Sequence, residues 1–153
     1  ENVNFELSID AKKIHYRLSG LNWITPQFKN NPEDEIKLIN RIESHLKKDP
    51  RKKMVITNYS FFSAILDQKL FSPSRVYAGD GTSNPMRGNK YITKYKELMF
   101  NLIKNNRISV IYIIGPLDST NIYDYINQQC FDETYIFEQL KSYELKNCSE
   151  IKG

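Results

Sequence analysis

RISVIYIIGPLD, residues 107–118, is the stretch of sequence that decides the fold. Its centre, Val110–Ile114, is an unbroken apolar run in which almost every residue is β-branched. Apolar and polar residues do not alternate in it, so neither face of the strand is suited to contact with water. A strand of this kind is buried on both faces, which is typical of a central strand in a parallel sheet. Because a Gly-Pro pair ends the run and Asp118 and Ser119 follow, we expect the strand to deliver polar residues to its carboxyl end.

The rest of the chain predicts alternating strands and helices around this strand. The other predicted strands are Leu21–Thr25, Met54–Thr57, Arg75–Ala78 and Ser142–Cys148, the last of them at an edge of the sheet. The predicted helices run from Asn31-Pro32 to the residue before Asp49, and over Phe61–Leu70, Lys90–Lys104, Asn121–Asn127 and Glu133–Leu140. This order indicates a single α/β domain over residues 1–153, with a three-layer, Rossmann-like, mainly parallel sheet of about five strands and helices on both faces.

Composition excludes several classes of protein. Of the 153 residues, 40% are apolar and 26% are charged, which is globular rather than disordered composition. A net charge of +4 is too small to indicate a nucleic-acid-binding protein. The sequence has no signal peptide and no apolar window of transmembrane length. Because the chain begins with Glu1 rather than Met, we expect it to be an excised piece of a longer protein or a processed protein.

Three segments should meet at the carboxyl edge of a parallel sheet, namely residues 58–60, 79–81 and 115–119. The ligand-binding candidates in these segments are Asn58, Tyr59, Asp80, Asp118 and Ser119. Helix amino termini at the same edge would favour an anion, so a phosphorylated or polyhydroxylated ligand fits the pattern. Helix capping and turn chemistry explain the same residue types without any ligand. The segment from Gly79 to Gly88 is the longest loop, and long loops often carry function.

Known catalytic patterns are absent from the sequence. It contains no phosphate-binding loop motif, no dinucleotide-binding glycine fingerprint and no nucleophile elbow. His15 and His45 lie in the first third of the chain, where neither has an obvious Ser or Cys partner. We therefore assign no catalytic residue, no metal and no cofactor. Trp23 is interpreted as a packing residue rather than a ligand-stacking one, because buried indoles mostly pack.

The two cysteines, Cys130 and Cys148, leave two alternatives open. They are too few for a zinc site, and neither histidine lies at ligand spacing from them. A disulfide between them would tie the last strand to the domain and contribute about 3 kcal/mol in the chain-entropy model. Two reduced thiols are the alternative if the domain is cytosolic.

Four segments carry a resemblance to a known family: Leu21–Pro26 (LNWITP), Lys52–Phe61 (KKMVITNYSF), Ile108–Pro116 (ISVIYIIGP) and Ser142–Cys148 (SYELKNC). Together they resemble the soluble C-terminal domain of bacterial multi-spanning membrane proteins similar to C-type glycosyltransferases, the relatives of dolichyl-phosphate-mannose-protein mannosyltransferases. In that family the catalytic acid lies between transmembrane helices, so no catalytic residue carries over to this chain.

The resemblance implies an extracytoplasmic (periplasmic) location, which favours the Cys130–Cys148 disulfide. It also implies two kinds of partner: the transmembrane part of the same polypeptide, and a glycan or a polyprenyl-phosphate sugar. The leading hypothesis is thus a non-catalytic accessory domain of a membrane-embedded glycosyltransferase-like protein. The rival hypothesis is a self-sufficient α/β enzyme that binds a nucleotide or a sugar phosphate at the carboxyl ends of its strands.

Overall fold

A computed structural model of the chain describes residues 5–25, 31–75, 77, 81, 83–115 and 122–146. The chain divides into two compact units, the first formed by residues 1–50 and 61–67 and the second by residues 51–60 and 68–153. The helices and strands, in order, are β1 (Ile9–Asp10), β2 (Asn22–Trp23), α1 (Pro32–Lys48), β3 (Lys53–Thr57), α2 (Phe62–Ile65), α3 (Ile92–Asn106), β4 (Val110–Ile114), β5 (Phe131–Phe137) and β6 (Leu140–Leu145).

Helix α1 is the main element of the first unit, and its start confirms the sequence prediction. The side chain of Asn31 accepts a hydrogen bond of 3.0 Å from the backbone N–H of Glu33, and Pro32 occupies the first turn. Three acidic residues follow at the positive end of the helix dipole. The predicted apolar stripe is buried throughout; it consists of Ile36, Ile39, Ile42 and Leu46.

The predicted strand at Leu21–Thr25 is much shorter than expected and does not belong to the main sheet. Only Asn22–Trp23 forms a strand there, and this strand pairs antiparallel with β1 in a separate two-stranded sheet. Trp23 donates a 2.9 Å hydrogen bond from its indole N–H to Glu35, and its ring meets that of Phe61 edge to face at 5.4 Å. The packing interpretation of this tryptophan is confirmed.

The second unit contains a four-stranded mixed sheet with the order β3-β4-β6-β5. Strands β3 and β4 are parallel, whereas β4–β6 and β6–β5 are antiparallel pairs. The prediction of a mainly parallel, Rossmann-like sheet of about five strands is therefore wrong. The error has a physical source: β4 is buried on both faces as expected, but burial on both faces does not require both neighbours to be parallel.

The largest single error concerns residues 133–140, which were predicted as a helix. They instead form most of β5 and a tight turn into β6, with Gln139 at φ 61°. Hairpin turns that need a positive φ usually contain Gly or Asn, so a Glu-Gln pair gave no turn signal. The hairpin also moves the last strand inward: β6 lies between β4 and β5, and the predicted edge position of Ser142–Cys148 is wrong.

Three other predicted elements differ in the described residues. The predicted helix over Phe61–Leu70 is helical only in α2, which has no side-chain cap at its start. Of the predicted helix over Asn121–Asn127, residues Ile122–Asp124 form a single 3-10 turn. The predicted strand at Arg75–Ala78 is described only at Arg75 and Tyr77, and Tyr77 donates its backbone N–H to the carbonyl of Thr57 at 2.9 Å.

Helix α3 covers one face of the sheet in the second unit, close to the predicted range. Its buried residues Met99 and Ile103 belong to the same apolar cluster as Met54, Ile56 and Ile111 of β3 and β4. The predicted left-handed C-cap at Asn105-Asn106 lies one residue further on. Arg107 takes the left-handed conformation, with φ 53° and ψ 48°, and donates its N–H to the carbonyls of Ile103 and Lys104.

The left-handed conformation of Arg107 gives the first prediction. Arg107→Gly should raise the free energy of unfolding by about 0.5–1 kcal/mol, because the Cβ atom of an L-residue disfavours this conformation. Arg107→Ala loses the same guanidinium but keeps the Cβ atom, so it is the matched control and should show no gain. Urea denaturation measures both variants, and equal effects of the two substitutions would contradict this account.

Candidate functional site

The candidate site lies where the parallel strands β3 and β4 end side by side. The in-register pair of Thr57 and Ile114 closes the ladder, so the residues that follow each strand are neighbours. Gly115 has φ 106°, and a Cβ atom built there would lie 2.9 Å from Oδ1 of Asn58 and 3.7 Å from Cε2 of Tyr59. The amide of Asn58 therefore occupies the space that any other residue at 115 would need for its side chain.

Burial gives the predicted residues of this site different roles. Tyr59 is 7% exposed, and its backbone N–H donates to the hydroxyl of Thr57 at 3.0 Å. Asn58 is half-buried as a residue, but its side-chain oxygen Oδ1 is itself buried, next to Gly115. The structure thus brings Asn58 and Tyr59 together with Gly115. The other ligand-binding candidates, Asp80, Asp118 and Ser119, lie outside the described residues, and their part in the site stays a prediction.

Residues 68–72, which follow α2 in the chain, cover the outer edge of β3. The carbonyl of Leu70 accepts the N–H of Val55 at 3.1 Å, and the hydroxyl of Ser72 donates to the carbonyl of the same valine. Lys53, 2% exposed, donates from Nζ to the side-chain oxygen of Gln68 at 2.7 Å. A buried ammonium needs such a partner, so this segment supplies a polar contact as well as backbone pairing.

The segment that the sequence marked as the longest loop is anchored by one buried amide. Asn84 is 3% exposed and donates from Nδ2 to the hydroxyls of Tyr77, at 3.2 Å, and Tyr125, at 2.9 Å. The hydroxyl of Tyr125 in turn donates to the carbonyl of Pro85 at 2.9 Å. Sequence reasoning missed this cluster, and it gives Asn84 a structural role: satisfied buried polar groups fix the path of a chain.

Burial shapes the ionisation of the phenols in this cluster. Tyr95 meets Tyr125 nearly edge to face, with ring centroids 4.9 Å apart. Desolvation raises the pKa of Tyr95 above its ordinary value, and the neighbouring phenols of Tyr125 and Tyr77 act in the same direction. Desolvation also raises the pKa of Tyr125, although the hydrogen bond from Asn84 opposes this effect. Tyr95 and Tyr125 are therefore neutral at physiological pH.

A second cluster that the sequence did not reveal surrounds Glu133 on β5. Its carboxylate accepts hydrogen bonds from Tyr123 at 3.2 Å, Tyr143 at 3.1 Å and Lys141 at 3.3 Å. Burial raises the pKa of Glu133, but the hydrogen bonds from Tyr143 and Lys141 outweigh it and lower the pKa below the ordinary value. Burial, together with the charge of Glu133, raises the pKa of Tyr143. Each of the two carboxylate oxygens of Glu133 therefore accepts at least one hydrogen bond within the protein.

If the β5–β6 hairpin had been recognised in the sequence, the cluster around Glu133 could have been predicted. Glu133 and Tyr143 are direct partners in the β5–β6 register, so they share one face of the sheet. The run Thr134–Phe137 is rich in β-branched and aromatic residues, which favour strands. That signal was outweighed by the helical interpretation of Glu133–Leu140.

The remaining side chains with possible chemical roles are the metal-ligating residues and the cysteines. Within residues 5–25, 31–75, 77, 81, 83–115 and 122–146, no group of three or more His, Cys, Asp or Glu side chains is placed to hold a metal ion. Cys130 is 1% exposed, and its carbonyl accepts the N–H of Lys146 at 2.8 Å. Cys148 lies outside the described residues, two positions after Lys146. The disulfide therefore stays a prediction.

The packing of Asn58 on Gly115 can be measured by substitution. Gly115→Ala should lower the free energy of unfolding by at least about 2 kcal/mol, because it adds strain at positive φ and displaces the Asn58 amide. Gly88→Ala is the matched control: Gly88 has φ 89°, but a Cβ atom there meets nothing within 4 Å, so only the strain remains. Equal losses in chemical denaturation would contradict the contact, as would an undiminished loss from Gly115→Ala in an Asn58→Ala background.

The lowered pKa of Glu133 predicts a pH-dependent contribution to stability. A carboxyl whose pKa is lowered by folding stabilises the protein above its ordinary pKa of 4.5, and this contribution is lost as the pH falls through the lower, folded-state pKa. Glu133→Gln should therefore destabilise by up to about 1 kcal/mol at neutral pH, a modest figure because the side chain is 38% exposed.

The difference between wild type and Glu133→Gln should shrink as the pH falls below about 4.5, as measured by urea denaturation across a pH series. Glu138→Gln removes a carboxylate from the adjoining turn and serves as the matched control for loss of charge. A difference for Glu133→Gln that is independent of pH would contradict the account.

Comparisons with known proteins identify no relative. The chain matches no protein-family model, no curated protein and no solved structure. Among the described residues, no helix has both the length and the apolar character needed to span a membrane.

Proposed function

We propose that this chain is a non-catalytic accessory domain of a larger, membrane-embedded glycosyltransferase-like protein, and that it helps that protein recognise a glycan or a polyprenyl-phosphate sugar. The proposal rests on the four segments that resemble the C-terminal domains of such proteins. It also rests on one observation: the parallel pairing of β3 and β4 brings the half-buried Asn58 against Gly115 at the carboxyl ends of two neighbouring strands. In open α/β sheets, ligands usually bind at the carboxyl ends of parallel strands, and β3 and β4 are such a pair.

The chemistry of Asn58 is suited to sugar recognition. Its side-chain nitrogen carries two hydrogen-bond donors that suit the oxygen of a hydroxyl group, whereas its side-chain oxygen is buried next to Gly115. Gly115 allows the backbone to approach the amide closely, and the buried Tyr59 fixes one wall of the site. A few well-placed polar groups on a rigid scaffold are the usual means of orienting a small ligand.

Two of the titratable groups described elsewhere in the second unit are already paired within the protein. Glu133 is paired with Tyr123, Tyr143 and Lys141. Arg51 bonds to both carboxylate oxygens of Glu144, at 3.2 and 3.4 Å. Each of these groups is held by a charged or phenolic neighbour, which is the pattern of structural pairs.

Calorimetric titration with a panel of sugars, sugar phosphates, short-chain polyprenyl-phosphate sugars and nucleotides tests the proposal. We expect weak, saturable binding of a sugar-containing ligand, and Asn58→Ala should weaken it by about tenfold, which corresponds to one lost hydrogen bond. Asn101→Ala, an exposed position on α3, is the matched control and should leave the affinity unchanged. Flat titrations across the sugar ligands would count against the proposal, and nucleotide binding with turnover would favour the rival enzyme.

The proposed extracytoplasmic location has a separate readout. Protein produced in an oxidising compartment should show no thiol that reacts with an alkylating reagent, because Cys130 and Cys148 are paired. Two reactive thiols in unfolded, unreduced protein would argue against this location while leaving the sugar-binding result intact.

A further inference from the structure

The two outer strands of the sheet in the second unit differ in how far described residues cover their outer edges. The outer edge of β3 is covered, since Leu70, Ser72 and Tyr77 all hydrogen-bond with its backbone. The other outer strand is β5, whose inner edge pairs with β6. An uncovered outer strand is a template for pairing with another chain, and proteins usually protect it.

Backbone geometry shows which groups of β5 point outward. Lys146 donates its N–H to the carbonyl of Cys130, and the same register pairs Asp132 with Glu144 and Thr134 with Ser142. Because hydrogen-bonded pairs alternate along an antiparallel ladder, the N–H and C=O groups of Asp132 and Thr134 point towards β6. Those of Glu133 and Tyr135 point outward, and no residue of the described part of the chain hydrogen-bonds them.

The side chains of β5 do not protect its outer edge with unpaired charges. Residues 132–135 are all exposed, and the large ring of Tyr135 is 64% exposed. Acidic residues on an outer strand normally repel a second strand, but here each has a cationic partner, one on β6 and one just after it. Asp132 pairs with Lys146 at 2.6 Å, and Glu133 pairs with Lys141 at 3.3 Å. The charges are neutralised within the sheet, so they do not forbid pairing.

We propose that β5 pairs with β5 of a second copy of this chain, antiparallel and centred on Thr134, so that the two sheets form one continuous sheet across a two-fold axis. This inference goes beyond the proposed function and does not depend on it. A two-fold axis requires a self-complementary strand, and the register of β5 decides the centre.

Each of the four exposed residues 132–135 could be the centre, and only one suits the sequence. Pairing centred on Asp132 or on Glu133 would set two carboxylates directly opposite each other, which is destabilising. Pairing centred on Tyr135 would run into the bulge between Tyr135 and Phe137. Pairing centred on Thr134 sets Glu133 opposite the partner's Tyr135, joins the outward backbone groups of both residues, and places the two threonines side by side.

Sedimentation velocity across a dilution series is the first test, with wild type expected to show a reversible monomer–dimer equilibrium. Tyr135→Glu should raise the dimer dissociation constant by about tenfold or more, because it sets two pairs of carboxylates opposite each other. Tyr135→Lys should leave the constant unchanged or lower it, since each lysine then faces a glutamate. A monomeric wild type at every concentration, or equal effects of the two substitutions, would overturn the proposal.

A cross-link tests the register directly. In the proposed pairing the two Thr134 residues form a non-hydrogen-bonded pair with Cα atoms about 4.5 Å apart, which is within reach of a disulfide. Thr134→Cys should therefore form a covalent dimer on mild oxidation, with the bond mapped to position 134 by peptide mass spectrometry. Thr93→Cys, at an exposed position on α3, is the matched control and should stay monomeric on a denaturing gel. Equal cross-linking of the two variants would refute the register.

Discussion

The in-register parallel pairing of β3 and β4 is the interaction on which the second unit depends. Every residue of both strands is buried, and the pairing of Lys53 with Val110 through Thr57 with Ile114 joins two distant parts of the sequence. It sets the platform on which Met99 and Ile103 of α3 pack. It also decides where the chain turns after each strand, so the contact of Asn58 with Gly115 follows from it directly.

Side-chain polarity alone predicted the parts of the fold in which all the residues of a segment favour the same secondary structure. The apolar run of β4, the cap of α1 at Asn31 and the apolar stripe that ends at Leu46 were all found where the sequence indicated them. The hairpin of β5 and β6 was not predicted, because its turn residue Gln139 takes a left-handed conformation although it is neither Gly nor Asn. Tertiary pairing with β6 overrode the local helical interpretation.

The same contrast applies to the polar residues. The meeting of Asn58 and Tyr59 with the end of β4 could be predicted, because it requires only that two adjacent strands be parallel. The partners of Glu133 and Asn84 could not, because they depend on the β5–β6 register and on the path of a loop. Much of the high tyrosine content is explained by these clusters: the phenols end on a buried amide or a carboxylate while their rings fill the core.

The position of β6 has a consequence for how the protein is made. This strand is the last of those in the described part of the chain, yet it lies between β4 and β5 and is the strand through which β5 joins the sheet. During synthesis, β5 therefore leaves the ribosome before its partner exists, and β4 keeps one edge open until residues 140–145 have emerged. The nascent chain passes through an interval in which two aggregation-prone strands are uncovered, and a truncation before residue 140 would make that interval permanent.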